Sequence, residues 1–214
     1  MTRKSSQRDA VLISTLPHVP FDGWTMDAVY RGAGEVGYSK DTVNVLFPDG
    51  VRAVIGHWLD LSDRQMLEDI SGQDLEAMRI RDRITLLVRK RLERWAPHRE
   101  AVRRALSLSL IPGYVENSIY RGITTVDVMW RAAGDRSTDF NFYTKRGLLG
   151  AVYSSTLLGW LEDTSEDFTD SWAFLDRRIS NVMQIPKLQR RLKDAFEQIP
   201  RPTKLFRKLR RACL

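Results

Sequence analysis

Gly134 to Trp160 reads G-D-R-S-T-D-F-N-F-Y-T-K-R-G-L-L-G-A-V-Y-S-S-T-L-L-G-W. Gly134 offers a left-handed stop to the helix before it, and Ser137, Thr138 or Asp139 can accept hydrogen bonds from the first orphan amides of the helix after it. Beyond that cap, Phe142, Tyr143, Leu149, Val152, Tyr153, Leu157 and Trp160 cover a face wider than a surface helix needs. This predicts a central helix sandwiched between neighbours. Among the large residues stand small ones, Gly147, Gly150, Ala151, Ser154 and Ser155, predicted to face inward. They permit close backbone approach or leave room for something that is not protein, so the helix reads either as ordinary core or as the wall of a ligand cavity.

The pattern stays helical on both sides. Downstream, Asp163-Thr164-Ser165-Glu166-Asp167 is an acidic link suited to a helix N-terminus, and Phe168, Trp172, Leu175, Ile179 and Val182 form the stripe of the helix it starts. Upstream, a helix through Ile119, Ile123, Val126, Met129 and Trp130 follows Tyr114 and Asn117, and another opens at Pro97 and closes before Pro112-Gly113. Leu75 to Trp95 carries the stripe Ile80, Ile84, Leu87, Val88, Leu92 and Trp95 between flanking arginines. Val51 to Ile70 points Val54, Ile55, Trp58, Leu59, Leu61 and Leu67 inward. With no alternating pattern of useful length, the chain is predicted to be all-α, with nine or ten helices.

The N-terminal part reads as a helix over residues 8–19, a second helix capped by Thr25, a turn at residues 34–39, and a short helix Lys40 to Phe47 capped by Ser39. Helix, turn and short helix in this register resemble the helix-turn-helix of TetR-family regulators over about the first sixty residues. Affinity for nucleic acid rests on Lys and Arg neutralising phosphates, yet from Gly37 to Asp49 the only cation is Lys40, against Asp41 and Asp49. The motif therefore reads as a scaffold rather than a DNA reader, and no nucleic-acid partner is expected. The organisation predicted is a helix-turn-helix-like lobe over 1–50, a helical ligand-binding bundle over 51–184 and a basic tail over 185–214.

The tail owns the charge. Of 34 basic and 27 acidic residues in the 214-residue chain, Lys187 to Leu214 hold ten and two, leaving 24 against 25 in residues 1–186. In its last piece Leu205, Phe206 and Leu209 share a face while Lys204, Arg207, Lys208, Arg210 and Arg211 flank it, the composition of an interfacial helix. Cations at roughly 1 kcal/mol each on anionic lipid, with about 1.5–3 kcal/mol for each buried Leu or Phe, would offset the ordering of so short a helix. The alternatives are a solvated basic tail and a nucleic-acid arm. No apolar run approaches the roughly 18 residues of a membrane span, and few polar residues separate Met1 from the first helix. A soluble chain of cytoplasmic type is expected.

Catalytic groups are scarce. His18, His57 and His98 are scattered, no Glu precedes a His at the i+3 spacing of a di-iron bundle, and the single Cys213 excludes thiolate clusters. Neither an enzyme activity, a cofactor nor a metal site is expected.

Residues 132–146, A-A-G-D-R-S-T-D-F-N-F-Y-T-K-R, joined to Ser109-Leu110-Ile111-Pro112 and to Asp163-Thr164-Ser165-Glu166-Asp167-Phe168, resemble the ninth COQ protein family of ubiquinone biosynthesis. The resemblance implies a TetR-like fold that does not regulate genes: an N-terminal helix-turn-helix lobe and a C-terminal bundle holding isoprenoid lipids or ubiquinone intermediates. It also implies help to the di-iron hydroxylase of the pathway from a peripheral position on an inner membrane, on the matrix side in a eukaryote. Trp130, Leu149, Val152, Tyr153, Leu157, Trp172 and Leu175 are the expected lipid contacts. Leu110, Ile111, Pro112, Asp139, Phe142 and Tyr143 are the expected partner-facing patch, and residues 204–211 the membrane contact. The TetR likeness further suggests a homodimer, and the other function compatible with it is a ligand-responsive regulator.

Overall fold

The ends of the helices follow local chemistry. Thr25 and Ser39 cap the helices after them by accepting from the amides of Ala28 and Thr42, each at 3.2 Å. Gly134 ends its helix at φ +92°, where the amide of Asp135 turns back to the Trp130 carbonyl at 2.9 Å. In this computed structural model, residues 3–135 and 140–182 are described, apart from the side chains of 140–142. The elements are α1 (Arg3–Thr15), α2 (Val19–Asp22), α3 (Met26–Glu35), α4 (Lys40–Leu46), α5 (Val51–Ile70), α6 (Ile80–Glu93), α7 (Arg99–Ser109), α8 (Val115–Ala132), α9 (Phe140–Glu162) and α10 (residues 169–182). Short 3-10 turns lie at Ala96–His98 and Glu166–Phe168. The described residues are all-α.

Two hydrophobic cores form. Val11, Leu12, Leu16, Val29, Val43, Phe47, Val54, Trp58 and Leu61 build the first, with Trp95 and Ala101 from farther along the chain. Met66, Ile84, Leu87, Val88, Met129, Leu149, Val152, Trp160 and Leu175 are among those that build the second. The helix α5 passes from one core into the other, and in the first core Trp24, Trp58 and Trp95 follow one another with ring centroids 5.2 Å apart at each step, the first pair tilted and the second edge to face. Gly32 lets α3 cross α1 closely, since a Cβ there would lie 2.6 Å from the Thr15 amide nitrogen.

The start of α10 is held by Asp163. Its Oδ1 accepts from the amide and hydroxyl of Ser165 at 2.8 and 2.6 Å, and its Oδ2 from the amide and hydroxyl of Ser171 at 2.8 and 2.5 Å. Burial works against the charge, but these hydrogen bonds outweigh it and hold the carboxyl at about 2.

Several expectations need correction. The first helix closes at Thr15, and Val19 opens the separate α2, where Pro20 sits in the first turn that tolerates it. The helix expected from Leu75 begins at Ile80, which with Leu67 lies at the surface rather than inside. Nor is α9 sandwiched all round: Tyr143, Ala151 and Leu158 are exposed, because α8 packs on one side of it. Ser155 turns its hydroxyl back onto the carbonyls of Ala151 and Val152.

Candidate functional site

Enclosed by α5, α6, α7, α8 and α9 is a cavity of about 880 Å³, within the range of about 300–1,000 Å³ common for small-molecule sites. From α5 come Ile55, Trp58, Leu59 and Ser62, and from α6 and its end Arg91, Leu92 and Trp95. Val102, Ala105, Leu106 and Ser109 of α7 face Val115, Ile119, Ile123 and Val126 of α8. One stripe of α9 completes the wall: Tyr143, Arg146, Gly147, Gly150, Tyr153, Ser154, Leu157 and Trp160, at the three- and four-residue steps of a single helical face. A Cβ on Gly147 or Gly122 would meet nothing within 4 Å. These glycines enlarge the space.

Ile119 and Ile123 are 60% and 59% exposed, Leu110 is 76% and Tyr143 73% exposed, and all four line the cavity. Its mouth is therefore open and greasy. Burial of isolated side chains like these stabilises by about 1.5–3 kcal/mol each, so the mouth favours an apolar occupant.

Against this apolar lining, charge is confined to paired groups. Arg91 is 3% exposed, yet its Nη1 pairs with Asp63 at 2.6 Å, its Nη2 donates to Thr125 Oγ1 at 3.3 Å and its Nε to the Tyr153 hydroxyl at 3.0 Å. Thr125 donates to the second Asp63 oxygen at 3.1 Å. Burial pushes the Asp63 carboxyl up, with Arg91 and the Thr125 hydrogen bond pulling back. Burial also opposes the Arg91 charge, but Tyr153 and Asp63 overcome it and hold the guanidinium above its ordinary value. Arg121 donates to the Gly56 carbonyl at 2.8 Å and pairs with Asp60, and Arg146 pairs with Asp127 at 2.6 Å.

Of the expected lipid contacts, Tyr153 and Leu157 line the cavity. Leu149, Val152, Trp172 and Leu175 lie in the second core, against which Tyr153 and Leu157 also pack, as does Trp130, whose indole donates to the Lys145 carbonyl at 3.0 Å. Helical phase grades the two: Leu149, one turn before Tyr153, lies at the edge of the stripe that borders the cavity and Val152 beyond that edge, while Tyr153 and Leu157 lie within it. Leu110 and Tyr143 both line the mouth, and Ile111 and Pro112, next to Leu110 in the chain, are exposed. Asp139, the Phe142 side chain and residues 204–211 lie outside the described residues.

Composition and spacing missed Arg91, Asp63 and Thr125. Arg91 reads as one of the arginines flanking the α6 stripe, but its position, three after Val88 and four before Trp95, lies in phase with that stripe. A charge on an apolar stripe was the available signal. Elsewhere, Asn44 of α4 is occupied by the Tyr30 hydroxyl at 2.8 Å, Lys40 lies 5.2 Å from the Tyr30 ring centroid, and Val45 is exposed. Among the described residues, no group of His, Cys, Asp and Glu could hold a metal ion, and no helix is long and apolar enough to cross a membrane.

Comparison with known proteins places these features. The COQ9 family model matches residues 115–186, which include α8, α9 and the described part of α10. The human ubiquinone biosynthesis protein COQ9, mitochondrial, is 31% identical over 195 residues, covering 88% of this chain and 61% of its own. The Xenopus laevis ubiquinone biosynthesis protein COQ9-B, mitochondrial, is 32% identical over 200 residues, covering 88% of this chain and 67% of its own. The chain thus spans about three fifths of the human relative's length. A TetR transcriptional regulator from Nitrosomonas europaea superposes with a TM-score of 0.69 at 23% identity, over 83% of this chain and 98% of that one. The fold is TetR-like.

Proposed function

The chain belongs to the COQ9 family, and from that premise we propose that it serves ubiquinone biosynthesis as a non-catalytic lipid-binding protein. It binds an isoprenoid lipid or quinone intermediate in the cavity between α5 and α9 and presents it to a di-iron ring hydroxylase, which supplies the metal and the chemistry. The observation that carries this reading is the continuity between a cavity of about 880 Å³ and the exposed apolar residues Leu110 and Tyr143 at its mouth. A guest leaving the cavity crosses that patch, so a partner docked there receives it without exposing it to water. The basic tail holds the protein on an anionic membrane surface, peripheral on an inner membrane, where such lipids reside. A second copy of the chain, docked as in TetR relatives, completes the proposed assembly.

The experiment is mass spectrometry of lipid extracted from purified protein. The reading expects a co-purifying isoprenoid in the wild type and its loss from Gly147→Phe and Gly122→Phe, whose new rings grow into empty space. Protein that carries no lipid and takes none from vesicles would overturn it.

The TetR-like fold keeps one alternative in view, a ligand-responsive DNA regulator. The chemistry of α4 opposes it, since Lys40 stands beside Asp41 and Asn44 is already bonded to Tyr30. Sequence-specific duplex binding at physiological salt, read by gel shift, would favour the regulator.

A further inference from the structure

Among the described residues the indoles of Trp58, Trp95 and Trp160 in the cavity wall also carry a proton with no acceptor, but the Tyr153 hydroxyl in addition accepts from a buried charge. A phenol has one proton to give and lone pairs to accept with. The Tyr153 hydroxyl accepts from Arg91 Nε at 3.0 Å, and its own proton meets no acceptor among the described residues. Arg91 is held in place behind it by Asp63 and Thr125, and the Thr125 proton is already committed to Asp63. Accepting from a buried guanidinium polarises the phenolic O–H and makes it a stronger donor. A donor left unused beside an apolar space carries a desolvation cost that a ligand acceptor removes.

We propose that Tyr153, positioned by Arg91, is the anchor for an acceptor oxygen on the guest, a ring carbonyl or an ester carbonyl at the polar end of a lipid. This rests on the lipid-binding reading above and adds to it the chemistry and the direction of the guest. Tyr153 lies ten residues along α9 from Tyr143, roughly 15 Å at helical rise. The polar end therefore sits inside, and the hydrocarbon runs past Ile119 and Ile123 to the mouth.

The test measures binding of three probes to the purified full chain by calorimetry: a 1,4-benzoquinone with a decyl tail, monodecanoyl glycerol, and decylbenzene, which has no acceptor. Tyr153→Phe removes the hydroxyl alone. The expected result is a roughly ten-fold loss of affinity for a carbonyl probe with decylbenzene unchanged. Loss confined to the quinone assigns the ring carbonyl, loss confined to the glyceride assigns the ester, and loss of both assigns any carbonyl. In the infrared, the carbonyl band of the bound wild-type complex should fall below its position in alkane, and this readout decides the matter should the variant not fold. Equal loss for all three probes, or an unshifted carbonyl band, overturns the anchor. Carbonyl binding unchanged in Tyr153→Phe overturns the anchor and leaves the lipid-binding reading standing. Wild-type protein that binds none of the three overturns both.

Discussion

The Arg121 guanidinium fills the space into which a side chain on Gly56 would grow. A Cβ on Gly56 would meet Arg121 Nη2 at 2.7 Å, while Arg121 Nη1 donates to the Gly56 carbonyl at 2.8 Å. Glycine within α5 costs about 1 kcal/mol of helix propensity against alanine, and the close guanidinium offsets that. Gly56→Ala alone should therefore lose roughly 0.5–1.5 kcal/mol as the arginine is displaced. In an Arg121→Ala background the same substitution should stabilise by about 1 kcal/mol, because nothing is left to displace. Urea unfolding of the four proteins of this cycle reads the sign reversal directly.

Gly32 is a sterner case. Its Cβ would meet backbone, the Thr15 nitrogen at 2.6 Å and the Ser14 carbonyl carbon at 2.7 Å, and neither can swing away as a side chain does. Gly32→Ala should force α1 and α3 apart and cost roughly 2–3 kcal/mol despite alanine's better propensity. Thermal unfolding should show a midpoint several degrees lower.

Arg91→Met should be among the most damaging single changes in the bundle. It strands the Asp63 carboxylate, 14% exposed, without the cation 2.6 Å away, and breaking a buried pair from one side costs about 3–5 kcal/mol. Adding Asp63→Leu should recover most of that loss, because the double variant buries no charge. Denaturant midpoints of both variants test the pairing, and a double variant no better than the single one would refute it.

The Asp163 cap makes a prediction about pH. Its carboxyl is held at about 2 in the folded chain, below the roughly 3.9 of an unfolded aspartate. The folded state therefore favours the charged form, so the cap contributes fully above about pH 4, and its contribution fades as pH falls through the folded value. Asp163→Asn, which does not titrate, should be less stable than wild type by about 1–2 kcal/mol at neutral pH. The gap should close on acidification towards pH 2, followed by circular dichroism against urea.

Whatever the chain settles within a few residues of itself is legible in its sequence. Thr25 and Ser39 cap where their hydroxyls reach the amide three residues on, α5 runs from Val51 to Ile70 between its breakers, and Gly134 turns left-handed. The stripes on Val54, Trp58 and Leu61, and on Ile84, Leu87 and Val88, marked core correctly because helical period alone orients them. Leu67 and Ile80 differ because an apolar side chain at the end of a stripe is buried only if another helix covers it, and among the described residues none does.

The sequence by itself determined an all-α chain, its capped helices and its basic tail, since each follows from local hydrogen bonding, periodicity and composition. Only the tertiary structure decided which stripe of α9 borders the cavity, putting Tyr153 and Leu157 between cavity and core and leaving Leu149 and Val152 in the core alone. It also gathered Asp63 of α5, Arg91 of α6, Thr125 of α8 and Tyr153 of α9 into one network. A charge can remain buried only where partners arrive from other helices, and the packing angles that deliver them are set by the whole bundle at once rather than by any one segment.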